Sequence, residues 1–73
     1  MLRINEYTAN KLIESYDTRH ENMMPHQAEA MYKVRCICEN AISVASYLGA
    51  TPDIIIPSSL VEVMSTIAYE GKL

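Results

Sequence analysis

Between Pro25 and Gly49, apolar residues recur at spacings that a helix brings onto one side. Ala30, Val34, Ile37, Ala41, Val44 and Leu48 follow one another at intervals of 4, 3, 4, 3 and 4. A second row, Met31, Cys38, Ile42 and Ala45, lies beside the first. At 100° per residue the two rows span about 160° of the helix, wider than the stripe of an ordinary surface helix. Pro25 suits a first helical position, where its missing N–H costs nothing. Gly49 suits the residue past the end, where a positive φ is wanted. The pattern predicts a central helix over 25–48 against which the rest of the chain packs.

The flanking segments are read against this helix. After the short apolar lead Met1–Ile4, Asn5 can cap a first helix running to Arg19 or Glu21, with Thr8 as the other candidate cap. Its apolar stripe, Ala9, Leu12, Ile13 and Tyr16, is narrow, and Asn10, Lys11, Glu14, Asp17 and Thr18 should face water. The connection His20–Met24 is short, and Pro25 pushes Met24 out of helical geometry, which favours an antiparallel hairpin. Beyond Gly49, the β-branched triplet Ile54–Ile56 is closed by Pro57 and reads as extended and buried; a helical turn starting at Pro52 is the competing reading. A three-residue strand needs a partner, either Leu2–Ile4 or another chain. Ser59-Leu60-Val61-Glu62 has capping-box spacing and predicts a third helix over 59–70, with Leu60, Val61, Met64, Ile67 and Ala68 on one face and Gly71 past its end. The expected fold is a single all-α domain over 1–73: a helical hairpin, 5–21 and 25–48, plus a short C-terminal helix.

Composition limits what such a domain can do. A chain of 73 residues buries only about 60% of the surface it exposes when unfolded, so oligomerisation would add stability. The net charge of −3 is unevenly spread. Residues 1–35 carry five Lys/Arg and five Asp/Glu, whereas residues 36–73 carry Lys72 against Glu39, Asp53, Glu62 and Glu70. A broad basic face is absent, and direct nucleic-acid binding is not expected. No apolar run approaches the roughly 20 residues of a membrane span. Two cysteines two positions apart on a helix point about 160° away from each other and cannot bridge; with no signal peptide, a reducing cytoplasm is the expected compartment.

Few constellations carry chemistry. His20, Met23, Met24 and His26 could hold copper(I), but the methionines more simply plug the end of the core, and no metal or cofactor is expected. Cys38 lies on the apolar face and Cys36 on the opposite one; nothing in the spacing builds a catalytic site, so the chain is expected to be non-catalytic. The outer face of the central helix is more informative. Tyr32, Cys36, Ser43 and Tyr47 project there beside Glu29, Glu39 and Asn40, an aromatic and small-residue mixture that suits a contact surface. The alternative is that another segment of the chain covers it. A twofold axis near Glu39–Asn40 would set Tyr32 of one chain near Tyr47 of the other. Arg19, His20, His26, Lys33 and Arg35 concentrate positive charge around the hairpin turn, and Arg19, His26, Lys33 and Arg35 are the candidate anion-binding residues; neutralisation by Asp17, Glu21 and Glu29 is the competing reading.

In size and in lacking an arguable catalytic set, the chain resembles small helical proteins encoded by phages and other mobile elements, which often act by binding. The expected function is a self-associating interaction protein that binds, and by binding inhibits or adapts, a larger protein partner. The alternative is an oligomer that sequesters an anionic small molecule such as a nucleotide at the basic end of the hairpin.

Overall fold

In the computed structural model, which describes residues 1–69, three helices pack with a small antiparallel ribbon. The order is β1 (Leu2–Ile4), α1 (Glu6–Arg19), a 3₁₀ turn (His20–Asn22), α2 (Pro25–Leu48), β2 (Ile54–Ile56) and α3 (Ser58–Tyr69).

Local chemistry sets most boundaries. The Asn5 side chain accepts a hydrogen bond from the Thr8 N–H at 2.8 Å, satisfying one of the N–H groups that a helix start leaves without a partner. Met24 is extended, with ψ 147°, and Pro25 opens α2 behind it. Gly49 ends α2 in the left-handed region at φ 68°, and its N–H and that of Ala50 return to carbonyls of the last turn. The chain then runs back along α2 as β2, which pairs with β1 in the register Leu2↔Ile56, Arg3↔Ile55 and Ile4↔Ile54. The extended reading of Ile54–Ile56 therefore holds, and its partner is the chain's own N-terminus. Alternation does the rest: Ile54 and Ile56 turn inward and are fully buried, while Ile55 faces out. Outside, Arg3 meets Asp53 at 3.1 Å.

Two expectations are corrected. The third helix begins at Ser58, and the Leu60 and Val61 N–H groups bond to the Pro57 carbonyl. Pro57, two residues before the expected cap Ser59, thus supplies the carbonyl that opens the first turn. Of this helix's expected apolar face, Met64 is buried and Leu60 and Val61 are half-buried; the side chains of Ile67 and Ala68, and the end at Glu70–Gly71, lie outside what the structure describes.

The second correction concerns the central helix. Its fully buried residues are Met31, Val34 and Cys38, with Ala45 nearly so. Ala30, Ile37, Ala41 and Ile42 are half-buried, and Val44 and Leu48, expected in the buried arc, are 58% and 68% exposed. Length explains this. At about 1.5 Å per residue, α1 is about 21 Å long and α2 about 36 Å, so the hairpin partner stops well short of the end of α2. The core that does form joins Ala9 and Leu12 of α1, Met31, Val34 and Cys38 of α2, Ile54 and Ile56 of β2, and Met64 of α3. Ser15, on the edge of the α1 stripe, is buried as well.

Candidate functional site

The outer face of α2 divides into two stretches of different chemistry. Toward the start of the helix, α1 lies alongside. Tyr32 is 51% exposed, its ring tilted against Tyr16 with centroids 5.7 Å apart. Tyr16 in turn stacks on His20 at 4.8 Å, and His20 Nδ1 lies 2.9 Å from the Tyr16 carbonyl oxygen. Cys36, one turn beyond Tyr32, is half-buried. Hydrogen bonding with the Cys36 side chain is the main reason the Tyr32 phenol is held above its ordinary pKa. Cys38, on the core side of the same helix, is fully buried, and burial pushes its thiol up to about 11.

The expected anion-binding residues are dispersed among carboxylates. Arg35 donates through Nε to Asp17 of α1 at 2.8 Å and through Nη1 to Glu39 one turn along its own helix. Its pKa is raised, first by the hydrogen bond to Asp17. Lys33 lies 3.9 Å from Glu29 in the favourable i, i+4 arrangement. Arg19 and His26 are exposed and take no ion pair among the described residues. Arg19 instead lines a shallow concavity along α1 of about 450 Å³, with Tyr7, Lys11, Glu14 and Thr18, where the Lys11 ammonium sits 5.5 Å from the Tyr7 ring centroid. The hairpin end thus carries mixed, locally paired charge.

Toward the end of α2 the surface changes. Tyr47 is 90% exposed, and Ser43 is exposed beside it. Around the helix from these, Val44 and Leu48 are exposed, and Ala41 and Ala45 form the floor of a shallow groove of about 420 Å³. The far wall of the groove is the returning chain at Ala50, Thr51 and Asp53. No Asp, Glu, Lys, Arg or His occurs between Glu39 and Asp53. Of the expected interface residues, then, the fold keeps Tyr32 and Cys36 near α1 and places Ser43 and Tyr47 on this open end, where Asp53 is the one charged residue of the groove lining. Sequence reasoning missed Val44 and Leu48 as surface residues. The signal that could have found them is the length mismatch between the two predicted helices, combined with that uncharged run.

Among the described residues, no three His, Cys, Asp or Glu side chains converge as a metal site, and no helix is long and apolar enough to cross a membrane. We find no family model, curated protein or solved structure that matches this chain.

Proposed function

We propose that this is a non-catalytic helical interaction protein that self-associates through the exposed side of α2 and, so assembled, inhibits or adapts a larger protein. The observation that carries the reading is the end of α2, where Val44, Tyr47 and Leu48 are each more than half exposed on a stretch without charge. Single exposed apolar residues are ordinary on a protein surface; a contiguous group rimmed by polar residues marks a contact. Tyrosine favours the reading further, since it offers large contact area with few rotatable bonds.

The alternative, an anionic ligand at the hairpin turn, draws less support. Arg35 and Lys33 already face carboxylates, so an incoming anion would have to displace Asp17, Glu39 or Glu29. Sedimentation of the purified chain tests the proposal: Tyr32→Glu with Tyr47→Glu should leave the helical circular dichroism intact and shift the protein to a smaller species. A wild-type chain that sediments as a monomer at every concentration, or one that carries a tight nucleotide visible near 260 nm, would overturn it.

A further inference from the structure

We infer that the occupant of the groove at the end of α2 is a second copy of this chain, held in an antiparallel α2–α2 contact with its twofold axis at Val44. The inference rests on the self-association proposed above and fixes where it occurs.

Two observations point to a second copy, and a third sets the strength of the contact. The first is charge. In a twofold contact, residues near the axis face their own copies. An axis at Glu39–Asn40 would bring two Glu39 carboxylates together; an axis at Val44 lies within residues 40–52, none of them charged, and the one carboxylate in the groove lining, Asp53 of the far wall, faces Arg3 of its own chain.

The second is shape. Val44 lies midway around the exposed side of the helix, with Tyr47 and Asn40 to one side of it and Leu48 and Ala41 to the other. Antiparallel pairing about Val44 reverses the helix direction and preserves the sides. Leu48 of each copy then meets Ala41 of the other, and Tyr47 meets Asn40. The large exposed side chain falls on the small one at the groove floor, and the phenol falls beside an amide that can exchange a hydrogen bond with it.

The third is area. From Asn40 to Leu48 the exposed end of α2 is about 13 Å long, so the helix pair alone falls short of the roughly 800 Å² per partner of a standard interface. The Ala50–Asp53 wall stands on the same side and extends the contact. A contact of this size gives an association that depends on protein concentration.

Cysteine cross-linking tests the placement. In a Cys36→Ser background, with Cys38 buried, Val44→Cys should oxidise to a disulfide-linked dimer at concentrations where Tyr32→Cys stays monomeric. In parallel, Val44→Glu should reduce the sedimentation coefficient to that of a monomer while helical circular dichroism is unchanged, as expected for a position 58% exposed. A wild-type chain that never dimerises overturns this inference together with the self-association on which it rests. A wild-type dimer that Tyr32→Glu dissociates, that Val44→Glu leaves intact and that cross-links through Tyr32→Cys overturns the inference alone.

Discussion

The two ends of α2 carry similar apolar periodicity and meet different fates. At the first end, α1 lies against the helix. Met31, Val34 and Cys38 are buried there, and Asp17, Arg35 and Glu39 close the seam on the solvent side. At the second, α1 has ended, and the short return through β2 lies along the helix. Ala45 is buried there, but Val44 and Leu48 stand out in solvent with no charged residue near them in sequence. Periodicity records which residues favour burial; whether they are buried within the chain depends on how far the neighbouring element reaches. Where it falls short, the same pattern leaves apolar side chains in solvent.

Placing one carboxylate at three points along α2 is the harshest way to test that contrast. Val34→Asp should unfold the domain, because an unpaired charge at a fully buried site costs several kcal/mol against a total stability of about 4–11 kcal/mol for a chain of this length. Ile37→Asp, at a half-buried site, should cost about 1–3 kcal/mol. Val44→Asp should stay within about 0.5 kcal/mol of wild type in thermal melts run dilute enough to keep the chain monomeric. Equal losses at all three positions would erase the distinction between the ends.

Alkali probes the closed end more gently. The Cys38 thiol titrates near 9 when unfolded and at about 11 in the fold. Its folded pKa is raised, so its contribution is intact below pH 9 and is lost as pH rises toward 11, at roughly 1.4 kcal/mol per pH unit at most. Denaturant melts of wild type and Cys38→Ala should therefore converge between pH 9 and 11. Parallel pH profiles would mean that Cys38 ionises as easily in the fold as out of it. A thiol reagent should likewise modify Cys36 in the native protein well before Cys38.

Much of this arrangement was legible in the sequence. Pro25 and Gly49 marked the bounds of α2, Asn5 marked the start of α1, and the Ile54–Ile56 triplet between two prolines marked a strand with few possible partners. These are local signals, each fixed by a backbone constraint that acts within a few residues. The start of α3 was misjudged because Pro57 and Ser59 both offer a beginning, and the earlier one prevails. The exposure of Val44 and Leu48 was missed for a different reason: it depends on where another helix ends. The pairing of Arg35 with Asp17 is similarly non-local, fixed by the packing of α1 on α2. Its consequence for the candidate anion site could be posed as an alternative from sequence but not decided.

A smaller effect tests the turn that closes the open end. Gly49 adopts φ 68°, and a Cβ added there would meet nothing within 4 Å. Gly49→Ala should therefore cost only the backbone strain of the left-handed region, about 1–2 kcal/mol. A larger loss in a thermal melt would mean that the Ala50–Asp53 wall moves with it.

The end of α2 should behave as a contact surface, and its beginning, already closed by α1, should not. Backbone amide shifts followed on dilution test it most directly. Concentration-dependent shifts should be confined to residues 40–53, with residues 30–38 unchanged. Shifts centred on Tyr32 and Cys36, or no dependence on concentration at all, would contradict it.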